Sequence, residues 1–210
     1  RCTECGWTSP KWAGRCGECQ QWGTVVEAAE TTGIVRSVTP VAPAAGRAAR
    51  PITTIDTTEA PRRTSGVGEF DRVLGGGIVP GAAVLVSGEP GVGKSTLLLE
   101  VAAQSARAGR RVLYASGEES TAQIRLRAER TGALDDELFL ASETDLATIL
   151  GHVDEVQPEL LIVDSVQTVS SSMSDGLAGH PSQVREVAST LIRVAKDRAL
   201  PIDRKSTRLN

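Results

Sequence analysis

Gly88-Glu89-Pro90-Gly91-Val92-Gly93-Lys94-Ser95-Thr96 sets Gly88, Gly93, Lys94 and Ser95 in the spacing G-x-x-x-x-G-K-[ST], the spacing of a phosphate-binding loop. Each residue type has a physical task there. Glycine lets successive backbone N–H groups turn toward an anion without Cβ clashes. Lys94 is placed to reach the β- and γ-phosphates of ATP, and the Ser95 hydroxyl to ligate Mg²⁺. The positive end of the helix that follows faces the same anion. All nine residues, 88–96, are therefore candidate nucleotide contacts. Working outward, residues 82–87 (Ala-Ala-Val-Leu-Val-Ser) are a short apolar run of the kind a buried parallel strand requires. Residues 94–108 are rich in Leu and Ala and closed by Gly109, which predicts a helix. Strand, glycine-rich turn and helix in that order are the context the motif needs.

A Mg-triphosphate site also needs an acidic group at the end of a neighbouring strand. Glu159-Leu160-Leu161-Ile162-Val163-Asp164 offers one in Asp164, the Walker B arrangement and a second candidate Mg²⁺ ligand; the plain alternative is a turn cap. Ligands of open parallel sheets gather at those carboxyl ends. Hydrolysis needs a group that activates or orients water. Val112-Leu113-Tyr114-Ala115-Ser116 is a further strand, followed by Gly117-Glu118-Glu119-Ser120. Lys94, Glu118 and Glu119 are the candidate catalytic residues. One glutamate is expected to act in the chemistry and the other to support it or decorate the next helix; the sequence does not separate them. Ser120 and Gln123 spell a capping box for that helix. Gln167, just past Asp164, is placed either to sense the γ-phosphate or to sit solvated.

All four cysteines lie at the front of the chain as Cys2-x2-Cys5 and Cys16-x2-Cys19. Two C-x-x-C pairs at this distance read as a closed four-thiolate Zn²⁺ site, structural rather than catalytic. Two disulfides are the alternative, disfavoured by the reducing compartment in which ATPases work. Trp7, Trp12 and Trp22 share this segment. A module this small cannot rely on core size, so the indoles are expected to pack over the metal. Lys11 and Arg15 lie on the loop between the pairs and read as solvated or as partner contacts.

The 210 residues suffice for the knuckle plus one α/β domain of about 140 residues. The boundaries read as a zinc knuckle over 1–23, a Thr-, Ala- and Pro-rich flexible linker over 24–63, and an ATPase core over 64–202. Strands are expected near 82–87, 111–116, 137–141 and 159–164. Helices are expected near 66–74, 94–108, 120–131, 144–156 and 182–199. Alternating elements imply a parallel sheet with right-handed crossovers. The net charge of −3 leaves no bulk nucleic-acid footprint. No long apolar run or leader is evident, so no membrane is expected and the chain reads as cytoplasmic. His152 and His180 fall in no ligand pattern. The polar loop 170–180 follows the Asp164 strand and would face nucleic acid in a ring or filament.

Taken in order, these motifs become more specific than any one of them. Four-Cys knuckle, linker, Thr64-Ser65-Gly66-Val67-Gly68-Glu69-Phe70-Asp71-Arg72-Val73-Leu74-Gly75-Gly76-Gly77, phosphate loop, Ser116-Gly117-Glu118-Glu119-Ser120, and Leu161-Ile162-Val163-Asp164-Ser165-Val166-Gln167-Thr168 resemble the bacterial RadA (Sms) DNA-repair family, relatives of the RecA recombinase. The stretch from Cys5 to Cys16, Cys-Gly-Trp-x-x-Pro-Lys-Trp-x-Gly-Arg-Cys, is similar to that family's knuckle. The resemblance implies a RecA-like α/β core, a zinc-containing, DNA-dependent ATPase and action on recombination intermediates. It also implies single-stranded or branched DNA as partner, a homo-hexameric ring and contact with recombinase or replication-fork proteins. A nucleotide-controlled signalling switch of the same superfamily is the competing reading.

The C-terminal end departs from the pattern. Asp203-Arg204-Lys205-Ser206-Thr207-Arg208-Leu209-Asn210 is polar and charged, unlike a buried strand. Residues 203–210 therefore read as a non-native tail on a C-terminally truncated core. One flank of the sheet is expected to lack its strand, and the chain to be impaired and prone to aggregate.

Overall fold

The computed structural model describes residues 1–9, 13–26, 41–43, 48–56, 61–172 and 179–207. The chain divides into two compact units, Arg1–Ile55 and Asp56–Asn210.

In the first unit, Cys2 and Val25 form an antiparallel bridge, as do Arg15 and Trp22. The Thr3 N–H bonds the Thr24 carbonyl at 2.8 Å, and the Val26 N–H bonds the Arg1 carbonyl at 3.0 Å. Residues 24–26 thus complete the knuckle rather than starting the linker. The buried centre is small: Cys2, Cys16 and Val25, with Trp7 and Cys19 packed against it. Trp7 fits because position 17 is glycine; a Cβ there would lie 2.7 Å from the indole. Trp22 departs from expectation. It is 74% exposed, with the Arg15 guanidinium 5.8 Å from its ring centroid, a cation–π contact instead of packing over the cysteines. Lys11, Trp12 and residues 27–40 lie outside the described residues, and a short 3-10 turn spans Ile52–Thr54.

The second unit is a parallel sheet with helices. In chain order it runs α1 (Gly68–Val73), β1 (Ala83–Gly88), α2 (Lys94–Arg107), β2 (Val112–Ser116), α3 (Thr121–Thr131), β3 (Leu138–Ser142), α4 (Leu146–Val156), β4 (Leu160–Asp164), α5 (Pro181–Arg198) and β5 (Ile202–Thr207). Local chemistry explains the helix starts. The capping box forms: Ser120 accepts from the Gln123 N–H, and Gln123 reaches back to Ser120. Asp145 accepts from the Thr148 N–H at 2.9 Å, and Pro181 opens α5 where its missing N–H costs nothing.

Successive strand residues point to opposite faces, and the core follows. Val112, Tyr114, Leu160 and Ile162 pack with Leu98, Leu99, Ala102, Ile124 and Ala128 of α2 and α3. Leu113, Ala115, Leu161 and Val163 pack with Ile149, Val153, Val187 and Leu191 of α4 and α5. β2 and β4 are buried at all five positions and apolar along most of their length because both faces are covered.

The strand order is β1-β5-β4-β2-β3, all neighbours parallel. This corrects two expectations. The core does not stop at residue 202: the chain continues as β5 to Thr207, hydrogen-bonded between β1 and β4. A parallel ladder needs only backbone N–H and C=O groups, so polar composition did not prevent it, although Asp203 is buried between register partners Val84 and Ile162. Nor does β4 neighbour β1. One strand separates them, so the flank carrying the phosphate loop is β1 itself, an edge with Leu85 50% exposed.

Candidate nucleotide site

The phosphate loop closes the carboxyl end of β1 and leads directly into α2. Gly93 is the α2 N-cap at φ +91°, in the left-handed region, where a side chain would be strained. That geometry turns the first α2 N–H groups outward as an anion cradle. Lys94 is buried and folded back over the loop, its Nζ donating to the Gly88 carbonyl at 2.8 Å and the Glu89 carbonyl at 2.6 Å. Pro90, Gly91, Gly93, Lys94, Ser95, Thr96 and Glu118 line one cavity of about 370 Å³. A larger hollow of about 480 Å³ lies at the opposite ends of the strands, lined by Pro61, Arg63, Pro158, Glu159, Arg198 and Leu200 among others. Its charges are already matched, Arg63 with Glu159 at 2.7 Å and Arg198 with Asp154, so it offers a polyanion little.

Register brings the other candidates to the same edge. Ser116 stands opposite Asp164, the last residues of β2 and β4. Asp164 is buried, 2% exposed, and accepts from the Tyr114 hydroxyl at 2.6 Å. Burial first, and then the Asp164 charge, pushes the Tyr114 hydroxyl far above its usual range, so it stays protonated and remains a donor. Ser95 and Asp164 offer a hydroxyl and a carboxylate, the hard oxygen donors Mg²⁺ takes. Gln167 lies in the turn after β4. Within the loop 170–180, residues 173–178 lie outside the described residues.

The two glutamates part company. The Ser116 hydroxyl accepts both their backbone N–H groups, at 3.3 and 3.1 Å. Beyond that, Glu118 faces the phosphate-loop cavity, and its Oε1 accepts from the Ser165 hydroxyl at 2.6 Å. Glu119 instead meets Arg127 of α3 at 2.7 Å, where the arginine side chain is only 14% exposed. The contact is made by Nη1, the Arg127 Nε and Nη2 finding no hydrogen-bond partner among the described residues, so Glu119 is the anion that makes this burial tolerable. Three residues given no role by the sequence reading thus belong to the site: Tyr114, Ser165 and Arg127. Only Arg127 carried a signal, a basic residue two helical turns beyond an acidic one.

The cysteines form the second cluster. Their four Sγ atoms all lie within 4.8 Å of one another, with Cys2–Cys19 at 3.7 Å and Cys5–Cys16 at 3.6 Å. All four are free thiols. A tetrahedron with Zn–S bonds of about 2.3 Å has S–S edges of roughly 3.8 Å, so the set fits Zn²⁺ and does not fit two disulfides.

Comparison with known proteins agrees with both clusters. Residues 63–141 match the family described as "ATPase: KaiC", and residues 1–27 match a zinc ribbon described as "Rubredoxin metal binding domain". The chain is 53% identical over 203 residues to the DNA repair protein RadA of Mycolicibacterium smegmatis, covering 93% of this chain and 42% of that protein. Against RadA of Mycobacterium tuberculosis strain H37Rv it is 52% identical, covering 93% and 41%. Against RadA of Bacillus subtilis strain 168 it is 44% identical, covering 96% and 44%. The chain spans about four tenths of the length of these relatives. Among the described residues, no helix is long and apolar enough to cross a membrane.

Proposed function

Because the chain is a homologue of the DNA repair protein RadA over 93% of its length, we propose that it forms part of a DNA-dependent ATPase that processes or branch-migrates recombination intermediates. The observation that carries the reading is the shared cavity: Lys94, Ser95 and Glu118 line one space at the carboxyl end of the sheet. Lys94 and the N-terminal amides of α2 bind the triphosphate. Ser95 and Asp164 would hold Mg²⁺, which when bound would neutralise charge on the phosphates. Tyr114 keeps Asp164 oriented. Glu118 orients the attacking water and accepts its proton, while Glu119 braces α3 through Arg127. The partners in this reading are single-stranded or branched DNA and further copies of the chain in a hexameric ring. Recombinase or replication-fork proteins complete them, and the setting is the cytoplasm.

Glu118→Gln is expected to preserve nucleotide affinity and cut turnover roughly 10²–10⁴-fold, the range of a general base. Glu119→Gln should do the reverse, lowering stability by about 1–3 kcal/mol through the weakened Arg127 contact while changing turnover little. Steady-state kinetics paired with thermal melts separate the two. An unslowed Glu118→Gln protein would move the base elsewhere.

The match to the KaiC description over residues 63–141 favours a second reading, a nucleotide-controlled switch. ATP hydrolysis with and without single-stranded DNA discriminates. The repair reading expects stimulation that falls steeply with salt, because phosphate contacts release counterions. Indifference to DNA would favour the switch.

A further inference from the structure

We infer that Ser165 is a positioning residue for Glu118, and that the turn after β4 sets the aim of the water-activating carboxylate. The inference rests on the reading of Glu118 given above. Glu118 is exposed and unbranched, a side chain with many rotamers open to it. Ser165 is fully buried, directly follows Asp164, and spends its hydroxyl proton on Glu118 Oε1 at 2.6 Å. A serine in an apolar interior without such a partner would be a liability, so the bond accounts for both residues.

The two loops are also fastened by backbone. The Gly117 N–H donates to the Asp164 carbonyl at 3.1 Å. The Thr168 hydroxyl and N–H both donate to the Ser165 carbonyl, at 2.8 and 3.2 Å. Position 117 must be glycine for this fit, since a Cβ there would lie 2.3 Å from the Thr168 hydroxyl oxygen. The carboxylate is therefore held from two sides: Ser116 fixes its backbone and Ser165 its head. Because Ser165 is bonded in sequence to Asp164, one short segment orients both the Mg²⁺ ligand and the base. A shift in that segment moves both, and small misplacements of reacting groups cost about 10²-fold in rate.

The test is a double-mutant cycle on ATP turnover with Ser165→Ala, Glu118→Gln and both together. Ser165→Ala is expected to lower kcat ~10–100-fold with KM for ATP and melting temperature unchanged. In the Glu118→Gln background the same change should cost almost nothing, because residues acting as one unit are non-additive. Ser165→Cys, which keeps the volume but donates weakly, should match Ser165→Ala and carries the test if the alanine variant folds poorly. Normal turnover in the Ser165 variants, or an equal loss in both backgrounds, overturns the inference. Normal turnover in Glu118→Gln alone overturns the reading beneath it, and the two failures are distinct.

Discussion

Lys94→Ala is expected to bring ATP hydrolysis to background. Among the described residues, Lys94 is the one side-chain cation lining the cavity, 6% exposed, and already bonded to the Gly88 and Glu89 carbonyls. Its charge is thus delivered to the phosphates from a pre-set position, with little reorganisation on binding. Losing a single preorganised donor costs ~10²–10³-fold in rate; here a full charge leaves with it. Two loop carbonyls also lose their donor, so nucleotide affinity should fall as well. Phosphate release and nucleotide-binding titrations measure the two effects separately. Wild-type turnover by Lys94→Ala would remove the nucleotide site from this loop.

Removing zinc is expected to unfold residues 1–26 and leave the sheet domain intact. Among its described residues the knuckle buries Cys2, Cys16 and Val25 as core residues, far too little apolar surface to offset chain entropy. Structural zinc supplies an apparent ~10–16 kcal/mol in small modules, so metal binding and folding are here one event. Chelation should shift the tryptophan fluorescence, since all three indoles lie in this unit, and expose it to protease. The melting of the second unit should not move. Metal analysis should find one Zn²⁺ per chain; none, or two disulfides in protein kept under reducing conditions, would refute the site.

Where one residue type has one task, the sequence was legible. The phosphate loop, the start of α2 at Lys94, the Ser120–Gln123 box and the four cysteines depend on local spacing, and the structure places them within a residue or two of expectation. What depended on distant partners was not legible. Glu118 and Glu119 are adjacent and identical; Ser165, far along the chain, holds one beside the cavity, and Arg127 of the next helix draws the other to α3. Trp22 was expected to pack over the metal with the other indoles, but its packing partner is Arg15. The strand at Ile202–Thr207 was missed because hydrophobicity reports side-chain burial, whereas ladder pairing is made by the backbone.

That strand has a consequence for how the molecule is made. It follows β4 and α5 in sequence and occupies an inner position in the sheet, with residue 202 beside both residue 83 and residue 161. A polypeptide emerging from the ribosome N-terminus first completes β2, β3 and β4 early, and these can zip together. The first strand must wait without its neighbour until about 120 further residues have been synthesised. During that interval two ladder edges stand open to chaperones or to other chains. The phosphate loop, carried on the waiting strand, is installed only when β5 pairs with β1, so nucleotide binding must wait for that pairing.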